Sequence, residues 1–196
     1  MIRLLLVDDH HTARAQTIEQ LEASEAIKIV GCAETSEQAL QLAEKLLPDV
    51  ILLDLHLPGL INSFDLIKRL TTLRNVKVIA FASDSKAAHV KDFLDAGAAG
   101  YLLKDDPATL LHMSIFMVHR GARNITSPAL PRNITKLTAL ERTVLKEITK
   151  RSTMEQVAAR VGISEESLAK TIAQLTEELE LLDSEKLIKW ARKQGF

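Results

Sequence analysis

Three aspartates and one lysine stand where short apolar runs of the sequence end. Asp8 and Asp9 follow the first such run, Asp54 follows another, and Lys104 follows a third. Runs of this kind are typical of buried strands in a parallel sheet, and the carboxyl ends of parallel strands meet at one edge. Clustered carboxylates repel each other unless a cation joins them, and Mg2+ prefers such oxygen ligands. A lysine beside them favours a visiting negative group, for which phosphate is the natural candidate.

Strand-like and helix-like segments alternate through the first part of the chain. The predicted strands are 2–7, 27–31, 49–54, 76–81 and 99–103. The predicted helices are 11–23, 36–46, 64–73, 86–96 and 107–119. Five strands that alternate with five helices indicate an α/β fold with a doubly wound, five-stranded parallel sheet.

Single residues refine these elements. Ser36, Ser85 and Asp106 are expected to cap helix N-termini, and Gly97 is expected to end a helix in the left-handed region. Cys32 is the only cysteine, so no disulfide is expected, and we expect its side chain in the core. A reducing cytoplasm fits this composition, and neither a signal peptide nor a membrane-length apolar stretch is evident.

The alternation stops at a stretch rich in Pro, Ser, Thr and Asn. We therefore predict a first domain at 1–122, a linker at 123–136 and a second domain at 137–196. The charge follows the same partition. The first domain holds 12 Lys and Arg against 16 Asp and Glu, the linker holds three bases and no acid, and the second domain holds ten of each. The overall net charge of −1 neither indicates nor excludes a nucleic-acid partner.

The second domain is predicted to be small and all-helical. Apolar residues recur at helical spacing in four sets, and Thr138 with Glu141 forms a capping-box pattern. Gly162 and Ser164 stand in a short turn between two of the predicted helices. Two short helices joined by such a turn are the parts of a helix-turn-helix.

With these motifs the chain resembles two-component response regulators of the NarL/FixJ type, which join a receiver to a LuxR-type helix-turn-helix. The receiver resemblance rests on four segments: LLLVDDH at 4–10, PDVILLDLHLPG at 48–59, GAAGYLLKDD at 97–106 and HRG at 119–121. The looser output resemblance rests on LTALERTVL at 137–145 and EQVAARVGIS at 155–164. Together the segments extend over nearly the whole chain.

The resemblance implies a role for each residue at the predicted edge. Asp54 matches the phosphoryl acceptor, and Lys104 matches the lysine that pairs with the phosphoryl oxygens. Mg2+ would be held by Asp8, Asp9, Asp54 and the backbone carbonyl of His56. The donor would be a phosphohistidine on a sensor histidine kinase. Beyond accepting this group and slowly losing it, the protein is not expected to be an enzyme.

Nearby histidines allow a second interpretation of the edge. His10, His11 and His56 could suggest a site for a softer metal. That interpretation is the weaker one, because no cysteine and no spaced histidine pair supports it.

The receiver departs from the family pattern at the end of the fourth predicted strand. Family members carry Thr or Ser at the position of Ala82, where the hydroxyl binds the phosphoryl group. Ser83 comes one residue later and is expected on the opposite face of the strand. The aromatic partner of this switch is present as Tyr101. These changes leave phosphorylation plausible and leave its coupling to the output open.

Two hypotheses remain for the output. In the first, the protein controls transcription as a homodimer when active, and the helix from about Glu165 reads DNA through Ser167, Lys170, Thr171 and Gln174. In the second, this degenerate helix-turn-helix binds a protein partner instead of DNA, independently of phosphorylation. Residues 164–180 hold one base and five acids, a net charge of −4, which opposes binding to phosphates.

Overall fold

A computed structural model describes residues 1–83, 87–130, 137–150 and 152–196. The chain divides into two compact units. The first comprises Met1–Ser85 with Asp92–Ala129, and the second comprises Lys86–Lys91 with Leu130–Phe196. The boundaries predicted from the sequence stay a prediction. Among the described helices, none has the length and apolar character needed to cross a bilayer.

A parallel sheet forms the centre of the first unit. Its strands are β1 (Ile2–Val7), β2 (Ile27–Ala33), β3 (Val50–Asp54), β4 (Lys77–Ala82), β5 (Gly100–Leu103) and β6 (Ile125–Thr126). They lie in the order β2-β1-β3-β4-β5-β6, and every neighbouring pair is parallel. The doubly wound parallel sheet is therefore confirmed, with six strands instead of the five predicted.

Five helices alternate with these strands along the described part of the chain. They are α1 (His11–Glu22), α2 (Ser36–Leu46), α3 (Ser63–Thr72), α4 (Ala87–Asp95) and α5 (Ala108–His119). Helix α5 contributes Leu111, Ile115 and Val118 to the main core cluster. All five residues of β3 are buried, which is why its sequence is a continuous apolar run up to Asp54.

Several local predictions need correction. Thr35, not Ser36, caps α2 by accepting the Gln38 N–H, while the buried Ser36 hydroxyl accepts the Ile61 N–H. Cys32 is exposed, because it lies on the edge strand β2, which has a neighbouring strand on one side only. Gly97 has a φ of 115°, which fits its expected position after a helix. The predicted cap Ser85 lies outside the described residues.

The sixth strand falls inside the segment predicted as a linker. Ile125 pairs with Gly100, and Thr126 pairs with Tyr101. A Cβ on Gly100 would lie 2.9 Å from the backbone oxygen of Ile125, so only glycine allows this close approach. A strand of two residues is too short to show any alternation, which is why the sequence pattern missed it.

Asp106 does not cap α5, contrary to the prediction. Pro107 is the N-cap residue of α5, and the Asp106 carboxylate accepts hydrogen bonds from residues outside the helix. Its Oδ2 accepts the Leu103 N–H at 2.9 Å, and its Oδ1 accepts the Ser127 hydroxyl at 2.6 Å. Asp106 is 9% exposed and Ser127 is 2% exposed, so the hydrogen bond between them is buried. It links the segment after β6 to the loop after β5.

The second unit is helical in the part that the structure describes. Its helices are α6 (Ala139–Ile148), α7 (Met154–Val161), α8 (Glu165–Glu178) and α9 (Ser184–Lys193). The predicted capping box of Thr138 and Glu141 is present at α6. Gly162 ends α7 with a φ of 77°, and Ser164 caps α8 by accepting the Ser167 N–H. The turn between α7 and α8 therefore joins the two helices of a helix-turn-helix.

We expect Ser127→Ala to lower the free energy of unfolding of the first unit by about 1–3 kcal/mol, because the buried Asp106 carboxylate would lose a hydrogen-bond donor. Urea unfolding followed by circular dichroism measures this loss. Fluorescence of Trp190, the only tryptophan, reports the second unit separately. Ser83→Ala, at an exposed position, is the matched control. Equal stability of the two variants would contradict a stabilising role for the Asp106–Ser127 pair.

Candidate functional site

Two carboxylates and one ammonium group meet at the carboxyl edge of the sheet. Asp8 follows β1, Asp54 ends β3 and Lys104 follows β5. Lys104 Nζ donates to Asp8 Oδ2 at 2.6 Å and to Asp54 Oδ2 at 2.7 Å. Both carboxylate side chains are only 1% exposed, so the lysine compensates charge that water cannot reach.

Backbone amides hold the two buried carboxylates in matching ways. Asp8 Oδ1 accepts the N–H of His10 at 2.9 Å, and Asp54 Oδ1 accepts the N–H of His56 at 3.0 Å. In each case the donor lies two residues after the aspartate, which is the local turn that aspartate favours. The second oxygen of each carboxylate is thereby directed to Lys104.

Lys104 remains an ammonium group in this setting. Its burial lowers the pKa, but hydrogen bonds from Nζ to Asp54 and Asp8, together with their charges, outweigh that effect and raise the pKa above its ordinary value. The backbone N–H of Lys104 also donates to the Ala82 carbonyl at 2.7 Å. Both the charge and the position of this lysine are therefore fixed by the strands beside it.

Asp9 brings a third carboxylate to the edge. Its Oδ1 is buried and accepts no hydrogen bond, although His10 Nδ1 lies 2.8 Å away. One ligand atom each from Asp8, Asp9, His10 and Asp54 lies within 4.8 Å of the others. A buried carboxylate oxygen that lacks a donor, beside two further carboxylates, fits a hard divalent cation. Among the described residues, these four form the group that could hold a metal ion.

The remaining histidines contribute less. The His56 ring is mostly exposed, and its Nδ1 lies 3.9 Å from Asp54 Oδ1. His11 is exposed at the start of α1 and is not part of the metal-binding group. The backbone carbonyl of His56 stays a predicted ligand.

One residue of the predicted switch, Ala82, is hydrogen-bonded to Lys104 through the backbone. Ala82 is fully buried as the last residue of β4, and Ser83 is exposed one residue later. A methyl group therefore stands at the position where the family resemblance implies a hydroxyl. Tyr101 is fully buried, and its ring centroid lies 6.2 Å from that of Phe93. The aromatic side chain is thus packed inside the unit.

Three supporting contacts gave no signal in the sequence. Arg14 donates to the Asp8 backbone carbonyl at 2.7 Å and pairs with Glu34 at 2.7 Å. Glu37 accepts the Leu60 N–H at 2.6 Å, and this hydrogen bond lowers the pKa of the Glu37 carboxyl. The Arg14–Glu34 and Glu37–Leu60 contacts join residues 20 and 23 positions apart, and no periodicity or motif spacing indicates any of the three. They hold the backbone on either side of the carboxylates.

The candidate DNA-contacting residues on α8 do not all face outward. Ser167, Lys170 and Gln174 are exposed, but Thr171 is only 8% exposed. The Thr171 hydroxyl donates to the Ser167 carbonyl at 2.9 Å. Thr171 lies three residues after Leu168, on the stripe that faces the core, so its expected outward position was wrong.

Comparisons with known proteins agree with this geometry. Residues 4–115 match the response regulator receiver domain family. The nitrate/nitrite response regulator protein NarL of Escherichia coli K12 is 28% identical over 206 residues, which cover 97% of this chain and 95% of NarL. The transcriptional regulatory protein YhcZ of Bacillus subtilis 168 is 28% identical over 197 residues, covering 93% of this chain and 91% of YhcZ.

A solved structure extends the likeness of fold to both units. The structure of two RcsB dimers bound to two parallel DNAs is similar to this chain with a TM-score of 0.67 and 20% identity. The match covers 98% of each chain. At this identity it establishes a shared fold.

We expect Lys104→Ala to lower the free energy of unfolding by about 3–5 kcal/mol, because it leaves two buried carboxylates without a counter-charge. Adding Asp54→Asn should recover part of this loss, because one of the two charges is then removed. Urea unfolding in the presence of a chelator measures both variants. Lys45→Ala, at an exposed position, should change stability by less than about 0.5 kcal/mol. If the losses in unfolding free energy of Lys104→Ala and Asp54→Asn simply add in the double variant, the two side chains do not stabilise each other and the expectation is contradicted.

Proposed function

This chain belongs to the response regulators with a receiver domain, and to the NarL/FixJ type among them, and we propose that it accepts a phosphoryl group on Asp54 from a sensor histidine kinase. The observation that carries the proposal is the pair of hydrogen bonds from Lys104 to Asp8 and Asp54. These bonds support the proposal because they hold the Asp54 carboxylate beside an ammonium group that could pair with a phosphoryl oxygen. Response regulators are generally non-enzymatic transcription factors.

The proposed chemistry uses the carboxylate of Asp54 as the nucleophile. One carboxylate oxygen forms a bond to phosphorus, the phosphorus–nitrogen bond of the donor breaks, and its electron pair returns to the imidazole nitrogen. Lys104 then exchanges a carboxylate oxygen for a phosphoryl oxygen, which its flexible stem allows. The N–H of His56 continues to hold the second Asp54 oxygen during the transfer.

Asp8, Asp9, Asp54 and the backbone carbonyl of His56 would hold Mg2+ at this site. When bound, the ion supplies positive charge that offsets the charge of the transferring phosphoryl group. The three carboxylates and the buried oxygen of Asp9 that lacks a hydrogen bond support this assignment. Oxygen ligands favour Mg2+ over softer metals, although His10 lies at the same cluster.

For the output we propose transcription control through the helix-turn-helix of the second unit. Helix α8 would enter the major groove of DNA, with Ser167, Lys170 and Gln174 on its exposed side. The fold shared with RcsB, whose structure was solved with DNA, and the likeness to NarL support this proposal. The proposed active form is a homodimer, and the kinase and DNA partners indicate a cytoplasmic protein.

The acidic charge of α8 favours a second candidate, in which this unit binds a protein instead of DNA. Helix α8 carries four glutamates, Glu165, Glu166, Glu177 and Glu178, against the single base Lys170. DNA affinity depends on neutralising phosphates, so such a helix binds DNA less tightly than a basic one. The DNA experiment below decides between the two candidates.

Phosphorylation is tested by incubating the protein with acetyl phosphate and Mg2+ and measuring intact mass. We expect one added phosphoryl group, and none in Asp54→Asn, because the amide cannot act as the nucleophile. Asp105→Asn, an exposed neighbour of Lys104, should be labelled like the wild type. Labelling that persists in Asp54→Asn would assign the acceptor to another residue.

DNA binding is tested by titration with genomic DNA fragments over a range of salt concentrations. We expect binding that weakens with salt, and in Lys170→Ala a weaker affinity with a log–log salt slope smaller by about one, because one phosphate contact is lost. Lys189→Ala, whose ammonium pairs with Glu185, is the matched control. Absence of binding at low salt, with and without acetyl phosphate, would favour the protein-partner candidate.

A further inference from the structure

The loop between β3 and α3 carries a residue of the proposed site. It comprises residues 55–62, between Asp54 at the end of β3 and Ser63 at the start of α3. Connections between strands and helices in such folds commonly have about 2–6 residues, so a longer loop needs contacts of its own to keep one conformation. His56, whose backbone carbonyl is the proposed Mg2+ ligand, is the second residue of this loop.

Two hydrogen bonds close the loop at its base. The His56 N–H donates to Asp54 Oδ1 at 3.0 Å, and the Ser63 hydroxyl donates to the Leu55 carbonyl at 2.6 Å. The second bond joins the start of α3 to the first residue of the loop. In the part of the chain that the structure describes, the His56 carbonyl accepts no hydrogen bond, so its oxygen is available to a cation.

The first two residues of α2 hold the far part of the loop through three hydrogen bonds. The Ser36 N–H donates to the Pro58 carbonyl at 3.2 Å, and the Ser36 hydroxyl oxygen accepts the Ile61 N–H at 3.3 Å. Glu37 Oε1 accepts the Leu60 N–H at 2.6 Å. Two of these bonds depend on a side chain of α2, so single substitutions can remove them.

The loop lies directly against the start of α2 at Gly59. A Cβ on this residue would lie 2.0 Å from Ser36 Oγ and 2.7 Å from Glu37 Oε2, and its φ of 140° also favours glycine. Pro58 and Leu60, on either side, are exposed, and the Leu60 side chain is 96% exposed. The hydrogen bonds to α2, more than side-chain packing, therefore fix this part of the loop.

We propose that Ser36 and Glu37 are positioning residues for Mg2+, because they fix the loop whose His56 carbonyl would bind the ion. The proposal deepens the proposed function and rests on its Mg2+ site at Asp54. Mg2+ demands near-ideal octahedral geometry, so a ligand on a loosely held backbone lowers its affinity. Neither positioning residue belongs to the group of side chains that could hold the metal. Their effect is on the affinity for the ion and not on the reaction at Asp54.

The test measures Mg2+ binding to the full chain by isothermal titration calorimetry, without a phosphodonor. We expect Glu37→Ala and Ser36→Ala each to raise the Mg2+ dissociation constant at least about threefold, and the double variant at least about tenfold, because the loop loses one or both acceptors. Glu37→Gln keeps a side-chain oxygen that can accept the Leu60 N–H, so its dissociation constant should stay within about twofold of the wild type.

Controls separate this effect from charge and from folding. Glu44→Ala removes the same charge from an exposed position on α2, and should change the Mg2+ dissociation constant by less than about twofold. A pure charge effect would make Glu37→Gln equal to Glu37→Ala. Circular dichroism verifies that each variant folds. Ser36 is fully buried, so if Ser36→Ala does not fold, the Glu37 variants decide the test by themselves.

A second readout is the rate of phosphoryl addition from acetyl phosphate as a function of Mg2+ concentration. In Glu37→Ala we expect the half-saturating Mg2+ concentration to rise by the same factor as the dissociation constant, while the rate at saturating Mg2+ stays within about twofold. A merely structural loss would leave less folded protein, and would lower the rate at every Mg2+ concentration without moving the half-saturation point.

Three outcomes would overturn the proposal. The first is an unchanged Mg2+ dissociation constant in Glu37→Ala, and the second is an equal change in Glu37→Gln and Glu37→Ala. The third is a lower saturating rate with no shift in half-saturation. Wild-type protein that binds Mg2+ but accepts no phosphoryl group would overturn the role of Asp54 alone, because calorimetry still decides this proposal. Wild-type protein that binds no Mg2+ would overturn both the Mg2+ site and its positioning residues.

Discussion

The placement of one ammonium group between two buried carboxylates is the constraint on which the first unit depends. Lys104 reaches Asp8 and Asp54 only because β1, β3 and β5 end at the same edge of the sheet. An isolated charge in such a place would be costly, and a buried pair is tolerated only when its geometry is good. The apolar runs that make the strands and the charged residues that end them therefore have to occur together. This requirement explains why the same residues that indicate the fold also indicate the chemistry.

The sequence predicted the elements that show a repeated apolar pattern. It missed the two-residue strand β6 and the inward orientation of Thr171. The strands β1, β3, β4 and β5 could be predicted because their residues are buried over all or most of their length, as in β3. Strand β6 could not, because two residues show no periodicity and its pairing with Gly100 depends on a contact across the fold. Thr171 illustrates a second limit, since a polar residue at a core-facing helical position is recognised only after the faces of the helix are known.

The charged residues of the site could be predicted from the sequence. The hydrogen bonds that hold the backbone around them could not. Four charged residues at the ends of apolar runs are visible in one dimension, and the parallel sheet brings Asp8, Asp54 and Lys104 together. The hydrogen bond from Arg14 to the Asp8 carbonyl has no such signature. Asp106 was predicted as a helix cap because aspartate is common both at caps and as a buried hydrogen-bond acceptor. Only its hydrogen bond with Ser127, seen in the structure, identifies it as the second kind.

The alanine at the end of β4 leaves this part of the edge without a side-chain hydroxyl. Ala82 offers no hydroxyl to a phosphoryl group, and Tyr101 is already packed against Phe93. On the side of β5 that pairs with β6, a chain of backbone and side-chain contacts links Lys104 to the segment after β6. Lys104 is two residues before Asp106, Asp106 holds Ser127, and Ser127 follows the strand that pairs with β5. The loop after Lys104 is therefore hydrogen-bonded to the segment after β6, and the Asp106–Ser127 pair is the contact that joins them.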